Sequence, residues 1–225
     1  MKLFRWSMFL FLLTATSVFG ATLTFQEGDG GSYSTTDAAF IEQGFPNVNH
    51  GIDADLWALD QSGINIRTLI QFSDIFGSNT GQIAYGTSII SATLGIRTTS
   101  NATSGLNYLY RVTTDWNEST VTWTSFGNSY NGTVMQAFSP SLGETVYNLD
   151  ITSLVQDWSD QTYANQGVLI RNTINDVVIY YSDDATELSY RPLLTINYVS
   201  PVPEPMSVVL LGIGLIGLLK RKFKK

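Results

Sequence analysis

The 225-residue chain carries 12 basic and 19 acidic side chains, a formal charge of −7, and no cysteine, which excludes disulfides, thiolate metal sites and thiol nucleophiles. Between Ala21 and Ser200 the imbalance is sharper: 18 Asp and Glu stand against five Arg and no Lys, a formal charge of −13. Such a body repels nucleic acid and anionic bilayers and attracts cations.

The first element is a secretory signal over residues 1–20. Lys2 and Arg5 precede the apolar stretch Met8 to Leu13, and small residues follow. Cleavage after Gly20 puts Val18 and Gly20 in the two small-residue positions, whereas cleavage after Ala21 would put Phe19 in one of them. Export by the Sec route and processing by signal peptidase are expected.

Residues 21–199 read as one domain, long enough for a sizeable core. Turn signals recur at Gly28-Asp29-Gly30-Gly31, Gly44-Phe45-Pro46-Asn47, Gly77-Ser78-Asn79, Gly127-Asn128-Ser129 and Ser139-Pro140-Ser141. Between them lie short runs rich in Thr, Val, Ile and Tyr, expected as strands at 22–26, 55–59, 67–72, 92–98, 108–113, 132–138, 167–171, 177–181 and 193–198. The run Ala92-Thr93-Leu94-Gly95-Ile96-Arg97 alternates cleanly, with Ala92, Leu94 and Ile96 inward. One helix is expected at 151–157, with Asp150 or Thr152 capping it and Leu154, Val155 and Trp158 on its apolar face. Many short strands without long helices predict an all-β fold, a single jelly-roll-like β-sandwich.

Ligand candidates are the aromatic and arginine side chains on strands expected to have a wet face. They are Trp57, beside Asp55 and Asp60; Tyr108, Tyr110 and Arg111 in the 108–113 run; and Tyr180 and Tyr181 in the 177–181 run. With no Lys in this body, its five Arg suggest defined hydrogen bonding, most of it to Asp or Glu. Glu27 and Asp29 near one end and Asp183 and Asp184 near the other offer turn oxygens for a structural Ca²⁺, since sandwich termini often lie side by side. His50, the only histidine, sits in an Asn- and Gly-rich loop, and neither a zinc-type cluster nor a phosphate-cradling loop is present. A non-catalytic protein is expected.

The segment Arg111 to Trp123, RVTTDWNESTVTW, resembles the centre of the DNRLRE domain, the disaggregatase-related family of extracellular β-sandwich modules. In the same order DAAFIEQGFPNVNHG (37–51), IRTLIQF (66–72), SIISATLGI (88–96), LDITSLVQDW (149–158), NQGVLIR (165–171) and RPLLTINY (191–198) resemble further parts of that family. Some of its members serve as carbohydrate-binding modules, so the resemblance implies an extracellular polysaccharide partner. The −13 charge favours a neutral or divalent-bridged glycan over a free polyanion. Trp116 and Trp123 within this segment read as structural, because Trp is highly buried on average. A structural or adhesive matrix protein without glycan affinity is the alternative, and a polysaccharide-degrading enzyme the remoter one.

The last segment, residues 200–225, contains Val202-Pro203-Glu204-Pro205, an apolar run over 206–219 and the basic tail 220–225 with five Lys and Arg. A 14-residue helix spans roughly 21 Å against a hydrocarbon core of roughly 30 Å, so it is a short transmembrane helix with its basic end cytoplasmic. These features resemble the PEP-CTERM sorting signal. That resemblance implies recognition by an exosortase, a membrane-held precursor and release to the cell surface or extracellular matrix of a biofilm-forming bacterium.

Overall fold

The computed structural model describes residues 18–30, 33–173 and 175–201. Residues 20–199 form one compact unit. Residues 1–17 of the expected signal peptide and 202–225 of the sorting tail, with its apolar run, lie outside the described residues. Among the described residues no helix is long and apolar enough to cross a membrane.

The unit is built from two sheets around a shared core. One has four strands in the order β1 (Val18–Phe25), β11 (Leu193–Pro201), β5 (Ile89–Arg97), β8 (Val146–Asp150). The other has seven. It runs β10 (Val178–Tyr181), β3 (Asp55–Gln61), β4 (Ile64–Phe72), β9 (Val168–Asn172), β6 (Asn107–Arg111), β7 (Gln136–Phe138), with β2 (Thr36–Glu42) paired to β4 outside that path. The expected β-sandwich character therefore holds.

The alternation in β5 does what its pattern requires. Ala92, Leu94 and Ile96 are each 1% exposed and meet Leu194, Ile196 and Leu149 from the neighbouring strands. Burying one such aliphatic side chain stabilises the fold by roughly 1.5–3 kcal/mol.

The larger sheet is buried on both faces over its middle. Ile70, Val168, Ile170 and Leu109 face the inter-sheet core, while Leu69, Leu169, Tyr110, Ala39 and Ile41 form a second apolar cluster on the opposite face. A strand with one dry face alternates, whereas a strand dry on both faces, such as β9 (VLIRN), reads as a near-continuous apolar run. This explains why β2, TDAAFIE, escapes recognition as a strand: five of its seven residues are buried.

Two helices complete the unit, together with a single 3-10 turn at Leu188–Tyr190. The four-residue α1 (Trp123–Phe126) is closed by a reciprocal Thr122–Ser125 capping box. The expected helix is α2 (Thr152–Ser159), which sends Leu154, Val155 and Trp158 into the core. Its start is held from one residue outside the cap. Asp150 Oδ1 accepts from the Thr152 backbone N–H at 2.9 Å and from its hydroxyl at 2.6 Å, which lowers the Asp150 carboxyl below its ordinary range.

Candidate functional site

Residues 112–131 leave β6 and fold over the outer face of the larger sheet. Val112, Val121 and Phe126 enter the second cluster, and Trp116, Trp123 and Tyr130 pack against it. The Trp116 indole N–H donates to the Gln166 carbonyl at 3.0 Å. Arg67, only 7% exposed, lies beneath this cover. Its guanidinium sits 4.5 Å from the Trp123 ring and 5.1 Å from the Tyr130 ring and donates to Asn128 Oδ1 at 2.9 Å. Both indoles of the RVTTDWNESTVTW segment are therefore structural.

The cover corrects several expected ligand positions. Tyr110 is 6% exposed and Tyr108 is half-buried against the second cluster, because the 112–131 segment closes the face of β6 that carries them. Tyr180 is fully buried between the sheets, near Phe138, since its strand parity points it inward with Val178. Tyr181, on the other face, is half-buried against Tyr190 with ring centroids 4.6 Å apart.

Two expected positions remain accessible. Trp57 is 39% exposed and stacks on Phe40 at 5.9 Å, which in turn stacks on His50 at 3.9 Å. His50 Nδ1 pairs with Asp53 at 2.8 Å. Arg111 lies with its guanidinium 3.8 Å from the centre of the Tyr163 ring.

Tyr163 borders a broad concavity. A groove of about 480 Å³ is lined by residues that include Asp74, Phe76, Tyr85, Trp158, Gln161, Tyr163 and Asn165. Tyr85 and Tyr163 are 53% and 41% exposed, and Tyr85 is braced by Phe76 with ring centroids 5.7 Å apart. Asp74 and Gln161 both adopt left-handed backbone conformations, φ 54° and 58°, a strain that non-glycine residues adopt where the surrounding structure demands it. On the other side of Tyr163 a second concavity of about 270 Å³ is lined by Arg111, Asn131, Thr133, Asp157 and their neighbours. The two share Tyr163, so one exposed ring stands between two hollows, the second walled partly by Val134, Met135 and Leu154. Exposed rings among fixed amide and carboxylate groups suit a pyranose, whose faces are apolar and whose rim is hydroxylated.

Neither Tyr85 nor Tyr163 stands out in a strand-based reading. Both lie in loops, within Ala84-Tyr85-Gly86 and Gln161-Thr162-Tyr163-Ala164. An aromatic isolated among polar and small residues with no periodic apolar partner is the signal that would have found them.

A second constellation is made of carboxylates. Oxygens of Glu118, Asp183 and Asp184 all lie within 4.8 Å of one another. Glu118 comes from the cover, and its Oε1 accepts from the Ala38 N–H at 2.8 Å. Asp183 and Asp184 follow β10. The structure does bring Glu27 towards Asp183, close enough for its charge to raise the Asp183 carboxyl, and the Arg191 side chain donates to the Glu27 carbonyl at 3.2 Å. Asp29 is not one of the clustered carboxylates; it is exposed on the Gly28–Gly30 turn. Glu118 replaces it, which a local reading of the turn between the two indoles could not reveal.

The arginines also depart from expectation. Arg171 pairs with Asp60 Oδ2 at 2.5 Å and Arg97 with Glu144. Arg67 and Arg111 instead lie on aromatic rings, and Arg191 donates to the carbonyls of Ala185 and Glu27. Rings and carbonyls compete well for a weakly hydrated planar cation.

The family model for carbohydrate-binding module family 96 matches residues 31–198, nearly the whole compact unit. No curated protein matches the chain. Modules of this kind are typically non-catalytic, and Glu118, Asp183 and Asp184 line neither of the two hollows around Tyr163. A matched span of this extent is decisive: the chain belongs to carbohydrate-binding module family 96.

Proposed function

We propose that the protein is an exported, non-catalytic module that binds or organises extracellular polysaccharide, with the groove between Tyr85 and Tyr163 as its glycan-contacting face. The observation that carries this reading is that groove, in a chain of a carbohydrate-binding family: two exposed rings flank a hollow furnished with Asp74, Gln161 and Asn165. The segments resembling the DNRLRE domain from residue 37 to residue 198 fall inside the matched span and support the same reading. The preferred glycan is neutral, or acidic and bridged by divalent cations, because 18 acidic side chains in the mature body oppose a free polyanion.

Surface delivery rests on the terminal sequences. A signal peptide over 1–20 would direct Sec export, and Val202-Pro203-Glu204-Pro205 with the apolar run and basic tail would hold a precursor for an exosortase. The domain proper is then residues 21–199.

The test is retention of the purified protein in affinity gels cast with neutral glucans and mannans, and with acidic polysaccharide with and without calcium. Retarded migration in at least one, reversed by free oligosaccharide, is expected. No retention by any of these, nor by the exopolysaccharide of the producing cell, would leave only a structural role in the matrix.

A further inference from the structure

Glu118, Asp183 and Asp184 come from two segments 65 residues apart in sequence, yet their oxygens lie within 4.8 Å of one another. Like charges so close repel, and no described cation answers them. Arg171 and Arg97 are paired with Asp60 and Glu144, Arg67 and Arg111 lie on rings, and Arg191 donates to the Ala185 and Glu27 carbonyls. More negative charge surrounds the cluster: Asp37 on β2 acts on Glu118, and Glu27 acts on Asp183.

The cluster alone would be an acidic patch; the buried member makes it more. Asp183 is 4% exposed, and its Oδ1 has no hydrogen-bond partner. A buried carboxylate oxygen without a donor is costly, and the ways to avoid the cost are protonation or a metal ion. Beside its own backbone N–H, the groups that act on this carboxyl are the carboxylates of Glu118, Asp184 and Glu27. Glu118, by contrast, is oriented by the Ala38 N–H, and Asp184 by the Ser182 hydroxyl, which accepts from its backbone N–H at 3.0 Å. The neighbours are thus fixed in place around an oxygen that nothing satisfies.

We propose that Glu118, Asp183 and Asp184 hold one Ca²⁺ that pins the 112–131 cover to the turn after β10. All donors are hard oxygens. Calcium takes 6–8 of them at roughly 2.3–2.6 Å, so oxygens on opposite sides of one ion stand about 4.8 Å apart. Three carboxylates leave several positions for water, which the exposed Asp184 side admits. Their irregular origin, one loop and one turn, suits the flexible calcium sphere better than the octahedron Mg²⁺ demands.

The ion's role is structural. It neutralises the charge between the cover and the sandwich, and so holds the second apolar cluster, including Val121 and Phe126, against the larger sheet. It needs no glycan, so its test is independent of the reading above.

Metal-stripped protein is titrated with CaCl2 and, separately, MgCl2 by calorimetry, at about pH 8 and about pH 6, and thermal melts are recorded with and without ~1 mM CaCl2. One Ca²⁺ per chain is expected, bound at least tenfold more tightly at the higher pH because protons compete for the same oxygens. A melting temperature raised by several degrees should accompany it. Glu118→Gln and Asp183→Asn should abolish the calcium-dependent rise while melting no lower than the metal-free parent. If Asp183→Asn does not fold, Asp184→Asn takes its place. The proposal is overturned if the parent takes up no stoichiometric calcium at millimolar concentration, if Mg²⁺ binds as tightly, or if the variants bind calcium like the parent.

Discussion

Ala38 donates its backbone N–H to Glu118 Oε1 at 2.8 Å, a contact across 80 residues of chain. β2 pairs with β4 along one edge, and on its other edge this donor is satisfied by the cover rather than by another strand. Leaving it bare would expose a sheet margin. The same turn is gripped from a second side, where Asn49 Nδ2 donates to the Glu118 carbonyl at 2.7 Å and to the Val121 carbonyl at 2.8 Å.

The grip leaves no room at Gly51. A Cβ there would stand 2.1 Å from the Glu118 carbonyl oxygen and 2.7 Å from its Cγ. Gly51→Ala must push the turn away and should cost about 1–3 kcal/mol, the usual range for overpacking. Gly132→Ala, whose new methyl would meet nothing within 4 Å, is the control and should be near neutral. Urea denaturation of the two variants checks this.

Stability of the metal-free protein should fall as pH rises. Burial first, then the charges of Glu118, Asp184 and Glu27, push the Asp183 carboxyl from 3.8 up to about 8. Burial, with Asp37 and Asp184, pushes Glu118 from 4.5 up to about 7. A carboxyl whose folded pKa exceeds its unfolded one contributes stability that is complete below the unfolded value and lost as pH passes through the folded one. The decline therefore runs from about pH 4 to about pH 8. Urea midpoints measured across that window in chelator should drop, and Glu118→Gln should flatten the slope; a rising profile contradicts the assignment.

Glycan contact should follow the loops rather than the strands. Tyr163→Ala and Tyr85→Ala should each weaken retention on the order of tenfold, about 1.4 kcal/mol, with little change in melting temperature, because neither ring belongs to the apolar clusters of the core. Trp57→Ala, an exposed ring away from the groove, should leave binding intact. Loss of binding in Trp57→Ala alone would move the site to the Phe40–Trp57 stack.

Arg67 should behave as a core residue. Lysine in its place keeps the charge but loses the flat contact with Trp123 and Tyr130 and the fork that reaches Asn128. Arg67→Lys should destabilise by about 1–3 kcal/mol without altering glycan retention. Denaturation curves and affinity gels run side by side separate the two effects.

The strands that alternate were legible one by one. β5 shows its inward face in six letters, and α2 shows its apolar face at Leu154, Val155 and Trp158, since one-sided burial writes a period into the sequence. β8 left little trace, because only Leu149 of its five residues is buried. The candidate site was legible only in part. Asp183 and Asp184 are visible as a pair of turn oxygens, but nothing local marks Glu118, 65 residues away, as their partner.

By itself, then, the sequence determined the fold class, the acidity of the body and the chemistry it lacks, since composition and short-range periodicity need no knowledge of what lies opposite. Which faces are wet was decided only by the tertiary structure. Residues 112–131 fold back over the larger sheet and bury Tyr110, while the loops at 85 and 163 leave single rings standing in solvent. Exposure and proximity are properties of segments distant in the chain, and Glu118 meets Asp183 only because the whole sandwich brings them together.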